Sequence, residues 1–171
     1  MLYAPTFRGD WLGLSFRLEN LHLDFSGVLR ALEKRFGGEF KFLFRMHINT
    51  KGWSPTSSEA IDVSGYPDIQ EIMLIADAFI TDYSSSIWDW AMLRKPGFLF
   101  TPDLSDYEKD RGLYSPIETW PFPYAKTNEE LEMLILDYDE KKANEKIQFH
   151  LDYTGSFETG NASKQTVEKM G

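Results

Sequence analysis

Residues 79 to 100 read FITDYSSSIWDWAMLRKPGFLF: an apolar run, an acidic dipeptide, three serines, aromatic residues at helical spacing, and a second apolar run. That succession predicts a strand over 78–81, a helix opening at the serines and a strand over 97–101, the repeating unit of a parallel sheet. The same alternation extends outward. Further strands are expected over 2–5, 40–46 and 60–63, several of them apolar at successive positions, as in strands covered on both faces. FSGVLRALEKRFGG carries Val28, Leu29, Leu32 and Phe36 on one helical stripe and should stop at Gly37-Gly38 in the left-handed conformation. In YPDIQEIMLIA, Pro67 is expected at the first helical position, with Ile69, Ile72, Met73 and Ala76 facing inward. Thr127 stands three residues before Glu130, the spacing of a capping box, ahead of Leu131, Leu134 and Ile135. From about Asn128 onward the chain reads as helical, broken around YTGSFETGNAS, and should pack back across the sheet.

A length of 171 residues suits one well-buried domain. The formal charge of -9 argues against a nucleic-acid partner, which would need clustered Lys and Arg. With no cysteine in the chain, disulfides and thiolate chemistry are excluded, which fits a reducing cytoplasm. No apolar stretch approaches the roughly 20 residues needed to span a bilayer. The opening MLYAPTFRGD lacks the basic-then-apolar pattern of a secretory signal. Neither a Walker glycine pattern nor a nucleophile elbow is present, no metal-ligand spacing stands out, and no cofactor is expected.

In parallel sheets ligands bind outside the carboxyl ends of the strands. The loosest segments, 9–24 and 49–59, are therefore of functional interest, the second carrying Trp53. Ser84, Ser85 and Ser86 lie at such an edge and also at a helix start, where unpaired N–H groups and the dipole favour an anion. They are read either as a phosphate site or as an ordinary cap in which Asp89 follows Ser86 by three residues. Asp82 is expected either to accept backbone N–H bonds that fix the turn, the favoured reading, or to coordinate a substrate hydroxyl. Trp90, with Ile87 and Ala91, reads as core, and Trp88 as a candidate pocket wall. Arg45 and His47 follow the strand in FLFRMHINT, and alternation puts both on one side, facing a shared target such as a diphosphate. Thr6 and Arg8 follow the first strand. His22 and His150 read as surface or packing residues, and YDEKKANEK as a solvated helical face.

Taken in order, LYAPTFR, FRMH, ADAFITDYSSSIWDWAMLRKP, DLSDYEKDRGLY and ETGNAS strongly resemble the CDP-glycerol glycerophosphotransferase family, the teichoic-acid primases and polymerases of bacterial cell walls. The resemblance covers nearly the whole chain. It implies an α/β, Rossmann-like parallel sheet flanked by helices: the C-terminal, donor-binding half of a GT-B-type glycosyltransferase fold, spanning 1–171 with its helical region from about 128. It implies CDP-glycerol or a related CDP-alditol as donor and a lipid-linked polyol-phosphate acceptor, with release of CMP. Ser84, Ser85 and Ser86 would hold the donor phosphate, Asp89 would order the site or contact the glycerol, and Arg45 with His47 would meet the diphosphate. Thr6 and Arg8 resemble the first-strand motif of the same cleft. Ile48 stands where the family usually has proline, and Trp88 and Trp90 stand where other apolar residues are common.

The family's other half carries a histidine-glycine motif that supplies the general base, and no His-Gly pair occurs here. The resemblance thus implies a missing N-terminal half as partner, and a cytoplasmic enzyme peripheral to the inner face of the cell membrane. His47 is the one catalytic base candidate in the chain; in contact with a diphosphate it would stabilise charge, its pKa raised by the anion. The alternatives are half of a GT-B glycosyltransferase using a UDP- or GDP-sugar, and a non-catalytic nucleotide-binding module.

Overall fold

The computed structural model describes residues 1–6, 23–46 and 60–170. Arg8, His22, His47, Ile48 and Trp53 lie outside them. Among the described residues the sheet has six strands, all parallel: β1 (Leu2–Tyr3), β2 (Phe42–Phe44), β3 (Ala60–Asp62), β4 (Phe79–Thr81), β5 (Gly97–Phe100) and β6 (Tyr124–Ala125). Their order is β3-β2-β1-β4-β5-β6, the arrangement of a Rossmann sheet. The five strands expected from sequence are present in shorter form. The sixth, only two residues long, has too little apolar pattern to announce itself.

Helices α1 (Phe25–Phe36), α2 (Ile69–Ile75), α3 (Ser86–Leu93), α4 (Leu104–Asp110), α5 (Asn128–Leu136), α6 (Glu140–Thr154) and α7 (Ala162–Met170) flank the sheet or follow it. Strand side chains alternate between two apolar layers. Tyr3, Phe42, Phe44, Ile80, Phe98 and Phe100 meet α1 and α5 on one face. Leu2, Phe79 and Leu99 meet Ile72 and Met73 of α2, Ile87, Trp90 and Ala91 of α3, and Leu104 of α4 on the other. The period of two along each strand builds both layers at once, so the central strands are apolar without interruption.

Helix boundaries follow local chemistry. Thr127 and Glu130 form the expected capping box of α5. Gly37 ends α1 with a positive φ of 76°, but its ψ of 176° puts it in a region open essentially to glycine alone, rather than in the left-handed helical one expected. Pro67 is not the first residue of α2. Asp68 intervenes as the cap, its carboxylate accepting from Gln70 N at 2.8 Å, so the proline lies in the preceding turn. The C-terminal region is helical with a break between α6 and α7; α5 packs onto the core through Leu131 and Ile135 and α6 through Ile147, but α7 buries no side chain.

Candidate functional site

The strand order reverses between β1 and β4, and polar side chains join the two strands at that point. Thr81 Oγ1 donates to Ala4 O at 2.7 Å. Asp82, only 1% exposed, accepts from Thr6 N through Oδ1 at 2.9 Å and Oδ2 at 3.0 Å, and from Tyr83 N at 2.6 Å. Its carboxylate therefore fixes the turn, as the sequence suggested. Beyond this seam opens a cleft of about 820 Å³. Four strand ends line it: Pro5 and Thr6 after β1, Arg45 and Met46 after β2, Ser64 to Pro67 after β3, and Tyr83 to Ser86 after β4. A crevice at the carboxyl edge, where strand order reverses, is where sheets of this topology take ligands.

The serines stand at the amino end of α3. Ser85 is the cap residue, yet its own dihedrals are helical (φ -61°, ψ -15°) and its side chain makes no capping bond. The cap expected from Ser86 with Asp89 is not formed, since Ser86 is already the first helical residue; what capping there is comes from Ser84, whose Oγ accepts from the first N–H of the helix. Ser84 Oγ and Ser86 Oγ bond to one another at 2.8 Å, and Ser86 N donates to Ser84 Oγ at 3.3 Å. A cluster of hydroxyls thus faces the cleft at the positive end of a helix dipole.

Arg45 reaches the cleft lining, but its guanidinium is engaged. Nη1 donates to Val63 O at 3.2 Å and to Tyr66 O at 2.6 Å, tying the carboxyl end of β2 to the turn after β3. That turn closes with Tyr66 N donating to Val63 O at 3.0 Å, and Ser64 Oγ accepts from Met46 N at 2.9 Å. The structure thus brings Thr6, Arg45, Ser84, Ser85 and Ser86 to one cleft. Asp89 is exposed on the first turn of α3 and is not among the lining residues, while Arg8 and His47 lie outside the described residues. Trp88 does not line the cleft: it packs between Trp120, at 4.8 Å, and the parallel ring of His150, at 4.9 Å. Burial there pushes the His150 pKa below its ordinary value. Ser64 and Tyr66 went unremarked in the sequence. The signal that would have found them is VSGYP, a turn at a strand's carboxyl end.

Among the described residues, no helix is long and apolar enough to cross a membrane. Nor does any group of three or more His, Asp or Glu among them gather as metal ligands would.

The parallel order and the hydroxyl-lined crevice at its reversal define a Rossmann-like α/β fold with its ligand-binding edge open. The chain matches, over residues 1–170, the family model described as CDP-Glycerol:Poly(glycerophosphate) glycerophosphotransferase, and it belongs to that family. It is 36% identical over 177 residues to the teichoic acid poly(glycerol phosphate) polymerase of Staphylococcus epidermidis, covering 96% of this chain and 23% of that protein. The solved structure of the wall teichoic acid polymerase TagF is similar with a TM-score of 0.68 and 35% identity, over 96% of this chain and 40% of that one. A histidine-to-asparagine variant of TagF, soaked for 30 minutes with CDPG, gives 0.69 and 33%, over 96% of this chain and 39% of that one. The chain thus spans less than half the length of each of these relatives.

Proposed function

We propose that this chain is the donor-binding part of a CDP-glycerol, or related CDP-alditol, glycerophosphotransferase acting in teichoic-acid or similar cell-wall polymer synthesis. One observation carries the reading: a cluster of three serine hydroxyls meets the amino end of α3 at the switch-point cleft of a chain belonging to this family. The TagF variant soaked with CDPG supports the choice of donor. In this reading Ser84, Ser85 and Ser86 hold the diphosphate at the positive end of the α3 dipole, with Thr6 on the same cleft, and Arg8 and His47, outside the described residues, are expected to contribute to donor binding. Arg45 acts on the cleft wall, through the turn it ties down, and Asp89 acts on the helix end rather than on the ligand.

The reaction sets what such a cleft must do. An acceptor hydroxyl oxygen bonds to the glycerol-bearing phosphorus, the bond between the two phosphates breaks, and CMP leaves with the electron pair. Donors fixed around the phosphates stabilise charge on the leaving group, while the hydroxyl proton needs a base within hydrogen-bond reach. In this proposal the base comes from an N-terminal half of the enzyme, and the working assembly acts in the cytoplasm, at the inner membrane face where a lipid-linked acceptor would be held.

Calorimetric titration of the folded chain with CDP-glycerol, CMP, UDP-glucose and GDP-mannose at fixed salt tests the proposal. Tighter binding of CDP-glycerol than of the sugar nucleotides is expected. Preference for UDP-glucose or GDP-mannose would make the chain half of a sugar transferase instead, and no binding by any of the four would overturn the donor-site reading.

A further inference from the structure

The cleft carries serine hydroxyls beside a buried tyrosine, Tyr83, at one end and a half-exposed aromatic residue at the other. At the β4 end stand the three serines and the amino end of α3. At the β3 end stands Tyr66, 45% exposed. These ends are three strand spacings apart, about 14 Å. Tyr66 is held unusually firmly for an exposed loop residue. Its carbonyl accepts from Arg45, its N–H closes the turn onto Val63, and its hydroxyl donates to Glu71 on α2. Around it, Ser64 N donates to Asp62 Oδ1 at 2.8 Å, Met46 N donates to Ser64 Oγ, and Pro67 restricts the next φ. The bond to Glu71 raises the tyrosine pKa, so the phenol stays protonated at neutral pH.

An aromatic ring left half open yet fixed by bonds to its backbone and its hydroxyl suits a flat ligand group, because little side-chain entropy remains to be lost on contact. A nucleoside diphosphate has the matching polarity: a charged diphosphate at one end and a planar base at the other. Resting on the donor-site reading above, we infer that Tyr66 is the stacking platform for the nucleobase of the donor, and that Arg45 and Glu71 are positioning residues that hold it at the cleft rim. Stacking accepts any base face, so Tyr66 contributes affinity for the nucleoside rather than a choice between cytosine and uracil.

The test is calorimetric, with CMP, UMP and inorganic pyrophosphate as probes, on the wild-type chain and on Tyr66→Ala, Tyr66→Phe and Arg45→Gln, each checked for folding by circular dichroism. Tyr66→Ala should weaken CMP and UMP alike by about 5- to 150-fold, the range for losing one stacked base, and leave pyrophosphate within about twofold. Tyr66→Phe should keep most of the nucleotide affinity, because the ring remains. Arg45→Gln should weaken CMP less than Tyr66→Ala does, since the ring is loosened and not removed. Unchanged CMP affinity in Tyr66→Ala overturns the inference and leaves the donor site standing, as does an equal loss for pyrophosphate or an equal loss in Tyr66→Phe. A folded wild-type chain that binds neither CMP nor UMP overturns the donor-site reading and this inference together.

Discussion

Asp82 is the side chain on which the geometry of the cleft most directly depends. It is buried and charged, and it satisfies backbone N–H groups from both sides of the strand-order reversal. Asp82→Ala leaves Thr6 N and Tyr83 N without this acceptor, and each buried unpaired donor costs about 1–3 kcal/mol. A urea denaturation midpoint clearly below that of the wild type is expected, and a change under 0.5 kcal/mol would show that other groups fix the turn. The serines should behave in the opposite way. Ser85 makes no capping bond and Ser84 accepts only a 3.3 Å bond from Ser86 N, so Ser84→Ala with Ser85→Ala should cost no more than a weak helix cap, about 0.5–1 kcal/mol. On the proposed reading, the same double variant weakens CDP-glycerol binding by about 1.5–3 kcal/mol, the range for hydrogen bonds to a charged group. Unaltered affinity in calorimetry would move the diphosphate to another part of the cleft.

At the scale of elements, much of the architecture was legible because both periodicities are strong in this chain. Apolar residues at helical spacing and glycine or threonine at the ends marked α1 and α5, and continuous apolar runs marked β4 and β5 as covered on both faces. What escaped depends on contacts distant in sequence. The two-residue β6 exists because β5 offers it a partner edge, and Arg45 turned toward carbonyls because the β3 turn comes within its reach. Gly97 shows the same limit. It opens β5 under a crowded lid, where an added methyl would lie 2.9 Å from the Phe122 ring and 3.0 Å from Trp90. Gly97→Ala should therefore destabilise by about 1–3 kcal/mol through overpacking, measurable in thermal or urea unfolding, and a neutral result would mean that Phe122 can swing aside. The docking of α6 carries a pH signature. His150 stacks on Trp88, and Arg94, itself left-handed at φ 57°, donates to Asn144 O and Gln148 Oε1. Because burial lowers the His150 pKa, the unfolded chain binds its proton more readily. The stabilisation is thus complete above the unfolded value of about 6.5, falls as pH drops below it, and levels off beneath the folded value. Urea midpoints should fall more between pH 7.5 and pH 5.5 for the wild type than for His150→Phe, and equal falls would show that the imidazole keeps its ordinary pKa.

Considered whole, the molecule offers one half of what the proposed chemistry needs. Its cleft gathers hydroxyls, a helix amino end and a pinned aromatic ring, all suited to holding a nucleoside diphosphate. The single charged side chain among the described lining residues is Arg45, a permanently protonated guanidinium, and no carboxylate or imidazole stands among them to take a proton from an attacking hydroxyl. The net charge of -9 also gives the chain no general attraction to anionic lipid, so a lipid-linked acceptor would have to be brought by another surface. Binding and turnover should accordingly separate. The chain alone is expected to bind CDP-glycerol yet transfer no glycerol phosphate to a lipid-linked acceptor. The same residues joined to an N-terminal half bearing the histidine-glycine motif should release CMP in step with acceptor elongation. Both quantities are read in one experiment, with calorimetry for binding and radiolabelled donor for transfer. Transfer by the chain alone would make His47, outside the described residues, the base to test first. Binding without transfer even when the halves are joined would instead identify a nucleotide-binding module that has lost its reaction.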